Sequence, residues 1–411
     1  MTFRGFIVFL LALSLLSAVA AQEQSADALH VVITVEGETY VSRYSPPDHY
    51  SDGVVLTAGS FVRSNDILEV GPGSRVVILC ANRATDEITN DFRSPNCPGT
   101  VAEPLVAFNN VEIYGQTRAA QDEGVYVVNP RHTMISSASP ILEWTPARNA
   151  SQRGITYRVT LYNMADNSIV WQKDGINGTR LEYPEDQQPL AAVDPAERPI
   201  RYQFVVTPII NNQELSTFDV MRPEGFCIVS ARNRPLVERA VSELGDLTVT
   251  GGLPNEARSF NLAVYYHGRR LYGDALAQLM RILPAPLDQP LPAGTISAES
   301  IVGSPSYYIL LGNILYAQRL PLNEVMPAYA RAELIATTLN DTPALATINE
   351  QLGDILRGRK PQITPERDAD IYARYQAARE FFSILGDDAA VQRIDEKLQN
   401  APQSQGSSFC Q

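Results

Sequence analysis

Between Ala257 and Pro284 the chain reads ARSFNLAVYYHGRRLYGDALAQLMRILP, and its apolar residues fall where a single helix-turn-helix unit needs them. Leu262, Ala263 and Tyr266 stripe one helix, Tyr272 and Gly273 make the turn, and Ala275, Leu279 and Ile282 stripe a second. Ala275 is small enough for the two helices to cross closely. A unit of this kind cannot bury its apolar stripe alone, so the constraint is on the whole C-terminal half: further units have to stack on it.

Three later segments repeat parts of the pattern. Leu311-Gly312 is followed by Leu315, with a partner helix expected from about Asn323 to Asn340. Leu352-Gly353 is followed by Leu356 inside TPALATINEQLGDILRG. A last unit, IYARYQAAREFFSILGDDAAVQRIDEKL, has Ala377, Ala378, Phe381, Ala390 and Ile394 at matching spacings. Taken together, residues 235–400 resemble a tetratricopeptide-like α-solenoid, although the spacing between units varies and the early Trp of that signature is missing. A helical bundle with amphipathic stripes is the other reading. The resemblance implies binding of a protein partner, a peptide or a helix, on a concave face lined by the first helix of each unit. Counted from the Leu-Ala and Leu-Gly pairs, that face would carry Phe260, Val264 and His267, then Ile309, Asn313 and Tyr316, then Glu350, Asp354 and Arg357, with Phe260 and Tyr316 as anchors.

The N-terminal half is patterned for strands. From about 29 to 128, VVITV, TYVSRY, GSFVRS, DILEV, SRVVILC and VEIYG lie between Gly, Pro and Asn-Asp breaks, which predicts a small β domain. Its run LTAGSFVRSNDILEVGPGSRVVILC resembles a FecR-type β module, which implies an envelope-facing interaction or sensory role; any short antiparallel barrel or sandwich gives the same alternation. From 130 to 223, ILEWTP, TYRVTLYN, SIVWQKDG, TRLEYP and IRYQFVVTPII are spaced as in a β-sandwich. With an early Trp and a later Tyr-x-Phe strand, this part resembles an immunoglobulin-like or fibronectin type III module. Trp144, Tyr157, Val159, Leu161, Trp171, Tyr202, Phe204 and Val206 are its expected core, the alternative being an exposed aromatic platform for a glycan. Residues 224–234 are expected to link this sandwich to the helices, and 401–411 to form a flexible tail. The fold expected is therefore multidomain, two all-β modules followed by an all-α repeat domain.

Residues 1–21 have the layout of a signal peptide: Arg4, an apolar run from Phe6 to Ala18, then small residues through Ala21. An uncleaved anchor is the alternative, but the run is short for a span. Export, to a periplasmic, secreted or other extracytoplasmic place with no membrane span after processing, makes disulfides the expected state of the four cysteines. Cys80 and Cys97 bracket a polar, turn-rich loop and are expected to pair, leaving Cys227 and Cys410; no CxxC or histidine pair suggests zinc. The net charge of -13 argues against nucleic acid or an anionic membrane as partner.

Motifs for chemistry are sparse. His30, His49, His132 and His267 form no i, i+4 pair, GSPS at Gly303 lacks the spacing of a nucleophile elbow, and GPGS at Gly71 reads as a hairpin turn. Asp387-Asp388 fits a helix cap, and Asn149-Ala-Ser and Asn177-Gly-Thr match glycosylation acceptors. With no metal or cofactor motif, the expected function is that of an exported, non-enzymatic scaffold or adaptor. A carbohydrate- or peptidoglycan-binding protein that uses the β modules is the second reading, and an enzyme whose site lacks a linear motif the third.

Overall fold

A computed structural model describes residues 29–42, 44–45, 49–50, 53–97, 125–147, 150, 154–184, 186–192, 200–215, 225–250, 255–358, 363–366 and 368–399. The signal segment, the strand expected at VEIYG, Asn149, Cys410 and the tail lie outside these residues. A β region precedes a helical region, as the patterning predicts.

The first β unit has two four-stranded sheets. One is ordered Phe61–Arg63, Leu29–Glu36, Arg75–Leu79, Thr85–Thr89, the other Phe92–Arg93, Ile67–Val70, Thr39–Ser42, Val54–Val55. In Leu29–Glu36 four consecutive residues, His30 to Ile33, are buried. A half-solvated strand alternates; this one does not, because both of its faces are covered. GPGS is a corner between the two sheets rather than the expected hairpin, since the strands on either side of it pair in different sheets. Gly73 there takes a φ of 77°, a conformation costly for other residues. Cys80, just beyond Leu79, is bonded to Cys97 with their Cα atoms 5.5 Å apart, as the spacing predicted.

In the second β unit, a sheet ordered Val127–Asn129, Ile141–Trp144, Arg180–Glu182 shares a core with a larger one ordered Thr133–Ile135, Phe226–Ile228, Tyr202–Ile210, Thr156–Asn163, Ser168–Ile176. Leu161 faces Phe204 and Val159 faces Val206 across the central pair. The expected aromatic core is in place apart from Trp171, which is half-buried at the sheet's edge. Trp144 packs edge-on against Tyr157, 5.7 Å between centroids. The boundary needs correcting: Phe226–Ile228, placed by sequence in the linker, is an inner strand of the larger sheet with all three residues buried. A short strand covered on both faces has no alternation to show. Its Cys227 is disulfide-bonded.

Eight helices follow among the described residues: α1 Arg234–Thr250, α2 Asn255–Gly268, α3 Tyr272–Met280, α4 Pro305–Ala317, α5 Leu322–Leu339, α6 Thr342–Arg357, α7 Ala369–Ile384 and α8 Asp388–Gln399. Each touches the next in sequence, and α4 also touches both α2 and α6. The Leu-Gly pairs sit where helices cross. A Cβ on Gly312 would lie 2.6 Å from the Tyr329 ring, and one on Gly353 the same distance from Tyr375, so only glycine lets α5 and α7 approach this closely. The residue after each glycine then accepts a hydrogen bond from the same tyrosine: Asn313 from Tyr329, Asp354 from Tyr375. None of the described helices is long and apolar enough to cross a membrane.

The Pro-rich connection between α3 and α4 is packed rather than loose. Buried Arg331 of α5 donates to the carbonyls of Ala285, Pro286, Leu287 and Gln289, and its guanidinium lies over the Tyr308 ring. Carbonyl dipoles thus satisfy the charge where no carboxylate is within salt-bridge distance among the described residues.

The two β units join the helices differently. The first shares one continuous core with α1 to α6, running from Val31 and Leu68 through Phe260 and Leu311 to Ile355. Gly59, at a φ of 83°, rests on the Phe260 ring, and Ala58 N–H donates to the carbonyl of Ala298. The second β unit keeps a core of its own, adds Tyr126, Val128, Met134 and Val229 to the edge of the shared one, and meets α3 through hydrogen bonds.

Candidate functional site

The face expected to receive a partner is built from α2, α4 and α6. In α2 only Arg258 is exposed from Ala257 to Tyr266, and neither α4 nor α6 has an exposed residue. Phe260, Val264 and Tyr316 are buried in the core shared with the first β unit. The place of all three on an open groove, and of Phe260 and Tyr316 as its anchors, is therefore corrected: the first β unit lies on α2, and the offset that pointed to a groove points into packing between units. Ile309 and Asn313 are half-buried, the latter bonded to Tyr329. His267 packs against the Tyr272 ring, and burial pushes its imidazole down to about 4, leaving it neutral at physiological pH.

Glu350, Asp354 and Arg357 do come together, in a charged network beneath α8. Glu350 accepts from Arg393 at 2.8 and 2.9 Å, and Lys397 reaches Glu350 and Asp354, each at 2.7 Å. Arg357 donates to the backbone carbonyl of Lys397. Burial works to raise the Glu350 carboxyl, but Arg393 and Lys397 outweigh it and hold the group below its ordinary value. For Asp354 burial prevails over Lys397, and the carboxyl is raised. A legible signal existed: acids at 350 and 354 and bases at 393 and 397 are each spaced i, i+4, so each pair shares one helical face.

Groups that could do chemistry are occupied structurally. His30 Nε2 lies 2.9 Å from Ser64 Oγ, a distance suited to a base and its nucleophile. Its Nδ1, however, accepts from the Ala81 N–H, so Nε2 carries the proton and cannot take another from the serine. Ser304, in GSPS, caps α4: its hydroxyl accepts from Tyr307 N–H and donates to Ile301 carbonyl. Asp387 caps α8 by accepting from Ala390 N–H, as expected of that acidic pair. Among the described residues no group of three or more His, Cys, Asp or Glu side chains could hold a metal. The aromatics suggested for a glycan platform, Trp144, Tyr157, Tyr202 and Phe204, are buried; Asn177 is exposed.

Large apolar side chains are exposed on α1 at Leu236 and on α3 at Met280, and two more on the outer surface of α5 and α7, which neighbour each other through the Glu333–Arg374 ion pair. Leu334 is 57% exposed and Ile384 66%. Side chains of α7, among them Ala373, Ala377, Glu380 and Ile384, frame a shallow concavity. No signal in the sequence separates this surface from the inner one, because a stripe says which face is apolar and not which neighbour covers it. No protein-family model matches the chain, and a search of curated proteins finds no match.

Proposed function

We propose that the chain is an extracytoplasmic, non-enzymatic scaffold that holds a protein partner, with its helices forming a tetratricopeptide-like stack. The observation that supports this most is the repeated lock of Gly312, Asn313 and Tyr329 and of Gly353, Asp354 and Tyr375. Two units built on one plan, ended by a charged helix, make a repeat array with a polar cap. Such arrays present surface rather than enclose a reaction site. The disulfide of the first β unit is compatible with an oxidising compartment.

With the first β unit lying against α2, the partner surface in this reading is the outer face of α5 and α7, where large apolar side chains stand in water. A photo-crosslinking residue placed at Leu334 or Ile384, in the native compartment, should give a discrete protein adduct, and one at Glu238 on α1 should give none. Ile384→Asp should abolish the Leu334 adduct. No adduct, or equal adducts from all three positions, would remove the reading.

A further inference from the structure

Sheet edges in this chain are not finished alike. In the first β unit, Phe61–Arg63, Phe92–Arg93 and Val54–Val55 are two or three residues long, and Thr85–Thr89 carries Asp86 and Glu87. In the second, Val127–Asn129 and Arg180–Glu182 are three residues long, and Thr133–Ile135 lies against Gly273 of α3. Ser168–Ile176 is different. It has nine residues, pairs along one side with Thr156–Asn163, and has no strand on its other side among the described residues.

Natural sheets blunt a free edge with charge, proline or shortness, because its open N–H and C=O groups will pair with another strand. Here Lys173, Asp174 and Gly175, at a φ of 70°, blunt the second half. In the first, a bulge opposite Leu161 and Tyr162 breaks the register between Ile169 and Trp171, but no charge or proline stands there. Ile169 is 58% exposed and Val170 39%, so both stand in water.

We propose that Ser168–Ile176 joins two copies of this chain, edge to edge and antiparallel, into one continuous sheet. An open backbone edge selects an extended strand, and the strand that matches this one in length is its own copy. Its charges are also self-complementary. Centred on Gln172, in the regular stretch between the two bulges, antiparallel pairing sets Trp171 opposite Lys173 of the second copy, twice, with no like charges face to face. Lysine beside tryptophan adds a cation–π attraction. Asp174 keeps its compensation from Arg158 on the neighbouring strand. The net charge of -13 on each copy opposes association, so the pairing tightens as salt screens that repulsion.

Sedimentation velocity on the whole exported chain, from ~1 to ~200 μM, reads this directly. A reversible monomer–dimer equilibrium is expected, tighter at higher ionic strength. Ile169→Lys and Val170→Lys should each weaken it by about 10-fold or more, with thermal melting showing that each variant still folds. A free peptide of residues 168–176 should compete with the dimer, which gives a test that needs no variant. A chain that stays monomeric throughout overturns the proposal. So does a dimer indifferent to the peptide and to every variant that folds, because it would use another surface.

Discussion

The first and second β units are both built from short strands, yet they are fixed to the helices by different balances of apolar and polar contact. At the first, apolar surface is continuous from the sheets into α2 and α4, with Gly59 against Phe260. At the second, only Tyr126, Val128, Met134 and Val229 reach that core, and the seam at α3 adds hydrogen bonds: Gly273 N–H donates to Thr133 Oγ1 at 3.2 Å and Ser136 N–H to Asp274 at 2.7 Å, beside the buried pair of Gln318 and Asn129. An apolar seam has no alternative partner in water, so parting it costs the full burial. A hydrogen-bonded seam exchanges its partners for water at small net cost. The first unit is therefore a part of the helical domain, and the second, which keeps most of its apolar residues in a core of its own, is docked onto it through a mixed seam.

Three measurements can break or sharpen this contrast. Phe260→Ala should have the largest effect, about 3–5 kcal/mol, because the cavity falls in the shared core. The sheets of the first unit and the helices should lose protection from hydrogen exchange together, while the second unit keeps its own; independent loss would show two cores instead of one. Gly273→Ala is expected to cost less, about 1–3 kcal/mol. An added Cβ would lie 2.6 Å from Asn129 Oδ1 and 3.0 Å from Ile135 Cγ2, so limited proteolysis should release the second β unit from an otherwise stable remainder. Resistance equal to that of the unsubstituted chain would mean that this seam is not what holds the unit.

The smallest effect belongs to Asp274, whose carboxyl burial pushes up to about 6 in spite of its hydrogen bonds from Ser136. The unfolded value is 3.8, so the folded chain binds the proton more tightly. Its contribution is complete below 3.8 and is lost as pH rises through about 6. Asp274→Asn keeps a neutral acceptor for Ser136 N–H. The stability of the parent relative to this variant should fall across that interval, and a flat difference in chemical denaturation would refute the buried, protonated carboxyl.

Much of this architecture was legible because period is a local property. The stripes of Leu262 and Ala275, the Leu-Gly pairs and the alternation of Tyr157, Val159 and Leu161 each depend on neighbours within a few residues, and each found its element. The Cys80–Cys97 pairing was legible from spacing and compartment. Assembly between units was not, because no periodicity says what a stripe will meet. Phe260 marks an apolar position equally well whether it faces a peptide or Gly59. Likewise, the three buried residues of Phe226–Ile228 have no polar neighbour in the strand to reveal them, and the Arg331 clamp uses backbone carbonyls, which every residue has.

The continuous core of the first β unit also sets an order of events in synthesis. Val31 and Leu68 leave the ribosome well ahead of Phe260, Leu311 and Ile355, against which the same core closes. Until those helices exist, the strands have only each other to cover them, and the contacts that complete the unit are far apart in sequence, which makes for slow folding. Nascent chains of this protein thus keep an apolar sheet surface uncovered until the helices through α6 have been made.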